Sequence, residues 1–212
     1  MLFEITKRIL DILVSIALTI VFLPVVIISI IAQQIESPGP VFADTPKRVG
    51  KEGKLFRIFK LRSMIPNAHV LLHTDPKFKQ LLKEYKKSSY KLHEDPRVTK
   101  VGKFIRKYSI DEIPQVVNVF RGEMSIVGPR PYYPFEIKEQ QERYPEAKDL
   151  VKEVLKVRPG ITGPWQVTGR SDVNFDERIK IDAEYARRQS ISYDMIILLK
   201  TPWAMLSGRG AV

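Results

Sequence analysis

The chain of 212 residues is long enough for one compact domain with a membrane element, and too short for two large soluble domains. Its 35 lysines and arginines against 24 acidic residues give a formal net charge of +11, which favours anionic partners such as nucleic acid, acidic lipid headgroups or phosphorylated substrates. The absence of cysteine excludes disulfides, thiolate metal sites and cysteine nucleophiles.

An uncharged apolar run extends from residue 12 to residue 32 and is long enough to cross a bilayer as a helix. Pro24 lies near its middle, where it removes a backbone hydrogen bond and predicts a bend. Lys7 and Arg8 precede the run, and basic residues are dense again between 47 and 62. Because basic flanks prefer the cytoplasm, both ends favour the same side of the membrane. These features leave a re-entrant and a spanning helix open.

A turn cluster at Ser37-Pro38-Gly39-Pro40 ends the apolar segment. It predicts a boundary between a membrane element over residues 1–36 and a polar domain over residues 37–212. Aromatic and branched residues from Lys54 to Arg62 predict a strand.

Helical patterns dominate the rest of the chain. One-faced apolar spacing or i, i+4 charge pairs predict helices around 78–85, 147–155 and 176–189. The stretch from Tyr193 to Leu206 is apolar on nearly all sides but too short to span, so an interfacial helix and a buried core helix both stay open. The predicted fold is mainly α with a small β element.

Two adjacent carboxylates, Asp111 and Glu112, stand just before Pro114, which predicts a helix start near residue 111. Ser109 and Glu112 match a capping box, a purely structural role. The basic side chains around this pair suggest more, because fixed arginine forks are suited to phosphate oxygens. Gly128-Pro129-Arg130-Pro131 is a rigid turn that would hold such a guanidinium in place.

Carboxylates among arginines also suit Mg²⁺, which is commonly held by one or two carboxylates together with substrate phosphates. The Asp111-Glu112 pair therefore predicts metal-assisted phosphoryl transfer. A second cluster of glycines, proline and arginines lies between Arg158 and Arg170. The sequence contains neither a phosphate-binding G-x-x-x-x-G-K-[ST] loop nor an H-E-x-x-H helix.

Taken in order, these motifs resemble a known family, the monotopic phosphoglycosyl transferases, also called bacterial sugar transferases. The matching pieces cover nearly the whole chain: Lys7-Arg8 with Asp11, Ser37 to Val41, Gly53-Lys54, Lys60 to Met64, Asp95-Pro96-Arg97, Ser109 to Gln115, Met124 to Pro131, and Pro159 to Arg170.

The resemblance implies that Asp111 is the nucleophile and that Glu112 is the Mg²⁺ ligand. It also implies a re-entrant membrane helix broken at Pro24, followed by a cytosolic α/β catalytic domain with interfacial helices. Phosphate or nucleotide contacts are implied for four basic residues, Lys60, Arg106, Arg130 and Arg170.

The implied reaction moves a sugar 1-phosphate from a UDP-sugar to undecaprenyl phosphate, through a covalent phosphosugar on Asp111, to start assembly of a bacterial glycan. The implied setting is the cytoplasmic face of the bacterial inner membrane, where the chain sits from one side among membrane lipids and does not bind nucleic acid. The sugar is not identified by any residue.

The family's usual Gln-x-Arg-x-Gly is replaced here by a longer loop over residues 44–50, and Leu61 and Thr168 stand where Phe and Asn are usual. The competing interpretation is a single-span membrane protein whose basic cytosolic domain binds nucleic acid or anionic lipid. That alternative explains the net charge but gives no reason for Asp111-Glu112 beside the Gly128 turn.

Overall fold

The computed structural model describes residues 2–87, 92, 94–168 and 174–206. Most of them are helical: α1 (Leu2–Glu36), α2 (Ala68–Thr74), α3 (Lys79–Lys87), α4 (Lys100–Lys107), α5 (Val116–Phe120), α6 (Pro134–Arg143), α7 (Ala147–Val154), α8 (Pro164–Thr168), α9 (Phe175–Arg188) and α10 (Ile191–Leu206). Short 3₁₀ segments cover Lys51–Gly53, Pro76–Phe78 and Ile110–Gln115. The predicted mainly helical fold with a small β element is confirmed.

Helix α1 has its polar residues on the inside and its apolar residues on the outside. Its buried residues are Lys7, Asp11, Ser15, Ser29 and Gln33. Their spacing puts them on one face of the helix. The exposed side chains include Ile5, Ile9, Leu13, Ile16, Ile20, Val21, Leu23, Ile28, Ile31 and Ile35. This reverses the usual pattern of a helix on a water-soluble domain, so the outer face suits lipid.

By length and composition, α1 could cross a membrane, and the predicted long apolar N-terminal helix is confirmed. The helix continues through Pro24 as one element of 35 residues. The re-entrant path and the break at Pro24 stay predictions.

Both ends of α1 are held by polar contacts with the rest of the chain. Near the N-terminus, Arg8 Nη1 donates a hydrogen bond of 2.6 Å to the carbonyl oxygen of Val119. At the other end, the Glu36 carboxylate accepts hydrogen bonds from the backbone N–H groups of Lys100 and Val101 at 2.7 and 2.8 Å. The start of α4 therefore supplies its free N–H groups to the end of α1.

The β structure consists of two small sheets. Strand β1 (Arg48–Val49) pairs antiparallel with β2 (Leu55–Phe56), and β3 (Ser125–Val127) pairs parallel with β4 (Gly160–Thr162). Beyond β3 the two backbones come very close. A Cβ on Gly160 would lie 2.1 Å from the backbone nitrogen of Gly128, and one on Gly163 would lie 2.1 Å from its oxygen. Glycine is required at both positions for this approach.

The strand predicted over residues 54–62 is mostly wrong. Only Leu55–Phe56 pairs in β2, and Leu61 makes an isolated bridge with Phe42. Between them, the side chain of Asn118 takes the place of a partner strand. It donates to the carbonyl oxygen of Arg57 at 2.8 Å and accepts from the N–H of Phe59 at 2.9 Å.

The later helices follow their predictions more closely. The helices predicted around 78–85, 147–155 and 176–189 correspond to α3, α7 and α9. Helix α10 has one buried side, with Asp194 and Ile197 at 1% exposure, and one exposed side, with Leu199 and Trp203 at 75% and 79%. One side of α10 is thus buried as a core helix would be, and the interfacial placement of its exposed side stays a prediction.

Candidate active site

The two carboxylates lie in the 3₁₀ segment Ile110–Gln115, directly after α4. Ser109 has a φ of +55°, in the left-handed region, so the chain turns sharply between the two elements. The predicted capping box of Ser109 and Glu112 is wrong, because a capping side chain needs an extended backbone. Ser109 makes no side-chain cap, and its carbonyl oxygen instead accepts from the Glu112 N–H at 3.1 Å.

Lys60 joins the two carboxylates. Its Nζ lies 3.0 Å from Asp111 Oδ2 and donates a hydrogen bond of 3.1 Å to Glu112 Oε1. The backbone holds the same pair of segments together, since the N–H of Leu61 donates to the carbonyl oxygen of Asp111 at 2.9 Å. One cation therefore serves two acidic groups.

Asp111 and Glu112 are adjacent in sequence but differ in surroundings. The Asp111 side chain is 2% exposed, whereas that of Glu112 is 38% exposed. Burial raises the pKa of the Asp111 carboxyl in spite of Lys60. For Glu112, burial acts in the same direction, but Lys60, Arg130 and Arg48 together outweigh it and lower the pKa. Two neighbouring carboxyls pushed apart in pKa are suited to two different chemical roles.

Both carboxylates line a cavity of about 320 Å³. Lys60, Arg106 and Arg130 line the same cavity, so three of the four predicted basic contacts are brought together with Asp111 and Glu112. The fourth, Arg170, lies outside the residues that the structure describes. A cavity with several cations around two carboxylates is suited to a phosphorylated ligand.

Arg130 is held at the cavity wall by the turn that follows β3. Its guanidinium lies over the Trp165 ring, 5.2 Å from the ring centroid. Its Nε is buried and has no hydrogen-bond partner among the described residues. A buried guanidinium nitrogen without an acceptor favours an anionic ligand at this point.

The carboxylates fit a magnesium ion only together with further oxygen ligands. Among the described residues, no cluster of three or more His, Asp or Glu side chains could hold a metal. Mg²⁺ commonly uses one or two carboxylates plus waters and substrate phosphates, and Glu112 is exposed enough to serve in that way. The predicted Mg²⁺ site therefore stays a prediction that the donor set permits.

A family model described as "Bacterial sugar transferase" matches residues 2–208. The chain belongs to the bacterial sugar transferase family. The family resemblance predicted from the motifs is thus confirmed.

Curated relatives in this family match nearly the whole chain. A protein of Salmonella typhimurium named "Undecaprenyl-phosphate galactose phosphotransferase" is 39% identical over 97% of the chain and 41% of its own length. An "Uncharacterized sugar transferase" of Haemophilus influenzae is 39% identical over 98% of the chain and 42% of its own length. The "Exopolysaccharide production protein ExoY" of Sinorhizobium fredii is 36% identical over 98% of the chain and 88% of its own length. The chain spans about two fifths of the first two relatives.

Two cavity residues in this family member were not predicted as part of the site. Arg48 belongs to the atypical loop over residues 44–50, and Tyr133 follows the Arg130 turn. The Arg48 guanidinium lies 3.3 Å from the centroid of the Tyr133 ring. Arg48 and Gly50 keep the Arg-x-Gly spacing of the family's Gln-x-Arg-x-Gly, and this signal was missed. It does not reveal a partner 85 residues away.

Proposed function

We propose that the chain transfers a sugar 1-phosphate from a UDP-sugar to undecaprenyl phosphate, releasing UMP and starting the assembly of a polysaccharide. The observation that carries this proposal is the buried Asp111 beside Lys60 and Glu112 in a cavity lined by arginines. The relatives' names point to the same acceptor, since one is an undecaprenyl-phosphate galactose phosphotransferase and an Escherichia coli relative is a "UDP-glucose:undecaprenyl-phosphate glucose-1-phosphate transferase".

In the first step, a carboxylate oxygen of Asp111 attacks the sugar-linked phosphorus of the UDP-sugar. The bond from that phosphorus to the bridging oxygen breaks, UMP leaves, and the phosphosugar remains on Asp111 as an acyl phosphate. In the second step, an oxygen of undecaprenyl phosphate attacks the same phosphorus. This frees the Asp111 carboxylate and gives undecaprenyl diphosphate sugar.

Three features of the chain support these roles. Lys60 is the only polar partner of Asp111 Oδ2 among the described residues, so this oxygen keeps lone pairs that can reach a phosphorus centre. Lys60 and Arg130 would bind phosphate oxygens and offset charge on the transferring group, where most catalysis of phosphoryl transfer is expected. Glu112 would hold Mg²⁺, which when bound adds positive charge beside the same oxygens.

We further propose that α1 enters the membrane from the cytoplasmic face and returns to it, with its turning point near Pro24. The contacts at both ends of α1 support this path, because Arg8 and Glu36 are both bound to the charged catalytic domain. A helix spanning the roughly 30 Å hydrocarbon core would separate these ends by the bilayer. Placement on one face of the membrane also suits a donor that is dissolved in water and an acceptor whose phosphate lies at the membrane surface.

The reaction is tested by measuring nucleotide release from a panel of UDP-sugars with Mg²⁺ and undecaprenyl phosphate in detergent. We expect UMP, and the sugar that gives it identifies the donor. Without acceptor, a phosphosugar mass increase on the peptide that contains Asp111 is expected. UDP release would indicate an ordinary glycosyltransferase instead. A folded, membrane-bound protein that releases neither nucleotide would favour the basic-domain alternative.

The membrane path is tested with single cysteines, since the chain has none of its own. Leu2 is 80% exposed at the start of α1, and the Lys152 side chain is 75% exposed on α7. In intact spheroplasts, Leu2→Cys and Lys152→Cys should both resist a membrane-impermeant maleimide. Both should react in inverted vesicles. Labelling on opposite sides would indicate a spanning helix.

A further inference from the structure

The turn that carries Arg130 is held from one side by α9. Asp182 is fully buried, and its Oδ2 accepts a hydrogen bond from the Arg130 backbone N–H at 3.1 Å and another from the Tyr132 hydroxyl at 2.8 Å. The Tyr132 ring is fixed in turn by an edge contact with Phe175, at a centroid distance of 5.6 Å. One carboxylate oxygen thus fixes both the backbone of Arg130 and the side chain two residues later.

Strand β1 holds the same turn from another direction. Arg48 Nη1 donates to the carbonyl oxygen of Pro131 at 3.1 Å, and the Val49 N–H donates to that of Tyr132 at 2.9 Å. The stacking of Arg48 on Tyr133 adds a contact that only a planar guanidinium makes well. Arg48 is 8% exposed, so its side chain is packed among its neighbours rather than free in solvent.

These contacts fix the backbone from Arg130 to Tyr133 and leave the guanidinium of Arg130 for a ligand. None of them uses the side-chain nitrogens of Arg130. Such an arrangement places a cation before the substrate arrives, so that no reorganisation is needed during the reaction.

We propose that Arg48 and Asp182 are positioning residues that clamp the Arg130 turn from two sides and aim the Arg130 guanidinium at the phosphates of the nucleotide sugar. This proposal rests on the proposed function and assigns a role to the loop over residues 44–50. Neither residue needs to touch the substrate, because both act through the backbone of the turn.

The first test compares disruptive and conservative variants by UMP release. Asp182→Ala leaves the Arg130 N–H and the Tyr132 hydroxyl unpaired, and Arg48→Gln loses the stacking on Tyr133. Each should lower kcat/KM by about 10- to 100-fold, because displacing a catalytic group by about 1 Å costs on that order. Asp182→Asn keeps an acceptor oxygen and should restore most of the loss. Arg121→Gln is the matched control, since Arg121 also lies over a ring, Phe59, but outside the cavity.

The deciding test repeats Asp182→Ala and Arg48→Gln in an Arg130→Met background. A positioning residue has nothing left to position there, so each should lower the residual kcat/KM less than about twofold. Full, additive losses in that background would overturn the proposal. A matching loss of thermal stability with additive kinetics would assign both residues to folding alone, which also overturns it.

Failure of the proposed function gives a different result, because the wild-type protein would then release no UMP and no variant would be compared. The outcomes of Arg130→Met apply once the wild type releases UMP. If Arg130→Met is as active as the wild type, Arg130 has no role in the reaction and the positioning proposal falls with it. If Arg130→Met is impaired but the losses are additive, only the positioning proposal falls. Should Asp182→Ala not fold, Tyr132→Phe removes one of the two contacts of Asp182 and is expected to show the same non-additivity on a smaller scale.

Discussion

Two lysine–aspartate pairs with buried aspartates resemble each other in distance and differ in the number of their hydrogen-bond partners. Lys7 Nζ lies 2.5 Å from Asp194 Oδ2, and Lys60 Nζ lies 3.0 Å from Asp111 Oδ2. The first pair joins α1 to α10, and the second lies in the cavity. Both aspartate side chains are almost inaccessible to solvent, at 1% and 2% exposure.

The Lys7 pair is well supplied with partners. Lys7 also donates to the carbonyl oxygen of Val127 at 3.0 Å, and the second oxygen of Asp194 accepts from the Tyr185 hydroxyl at 2.6 Å. In the other pair, Asp111 Oδ2 has no partner among the described residues besides Lys60, and Lys60 is shared with Glu112. A satisfied buried pair holds elements together, whereas an under-satisfied one leaves a reactive group available.

The largest effect is expected from Asp111→Asn. Loss of the nucleophile should lower UMP release by at least about 10³-fold. Asp149→Asn, on the exposed side of α7, is the control and should leave the rate unchanged. Activity of Asp111→Asn within a few-fold of wild type would remove the covalent role.

The same variant should not be less stable than the wild type. The folded pKa of Asp111 is raised above its usual 3.8, so above that pH its ionisation lowers the stability of the folded state. Asparagine removes this cost, and thermal unfolding at neutral pH should therefore occur at the same or a higher temperature. Any advantage should shrink as the pH falls through the folded pKa and should vanish below 3.8, where the wild-type carboxyl becomes protonated in both states.

For the Lys7 pair we expect a loss of stability, in contrast to Asp111→Asn. Lys7→Met leaves Asp194 buried without its cation, which should lower the free energy of unfolding by about 3–5 kcal/mol. Chemical unfolding in detergent measures this. Lys152→Met removes the exposed pair of Lys152 with Asp149 and should change stability little. Equal losses of unfolding free energy in Lys7→Met and Lys152→Met would mean that the buried pair contributes no more to stability than the exposed pair.

The face of α1 opposite Lys7 should respond to charge in the membrane. Ile20 is 69% exposed on the apolar outer face, and Ile20→Lys should weaken membrane insertion by about 3 kcal/mol. The measurement is the fraction of protein that sediments with membranes after a salt wash. Gln80→Lys adds the same charge on α3 and should leave that fraction unchanged. An unchanged fraction for Ile20→Lys would show that the outer face does not contact lipid.

The smallest effect expected is a change in pH dependence. Lys60 lowers the pKa of Asp111 against the effect of burial, so Lys60→Met should raise that pKa further. The carboxylate is the attacking form, and the acid limb of the activity profile should therefore move to higher pH. Lys60→Arg keeps the charge and should keep the limb near its original position. If the acid limb does not move in Lys60→Met, the limb does not report the ionisation of Asp111.

Much of the site could be predicted because its residues lie in short motifs. Asp111, Glu112 and Arg130 fall within 20 residues of one another, and the cavity contains all three. Arg48 and Asp182 could not be predicted in the same way. They meet the Arg130 turn through contacts with Pro131 and Tyr132 that are 83 and 50 residues apart in sequence, and no local pattern encodes such distances.

Composition and local spacing were enough to predict that α1 is a long apolar helix, that the fold is mainly helical and that two adjacent carboxylates stand among basic residues. These properties depend on composition and on spacing within a few turns of helix. Three features depend on long-range packing and could not be predicted: the buried face of α1, the left-handed backbone of Ser109 and the desolvation of Asp111 beside Lys60. Desolvation depends on which distant groups surround a side chain. Asp194, the partner of Lys7, is 187 positions away in sequence, and Lys60, the partner of Asp111, is 51 positions away.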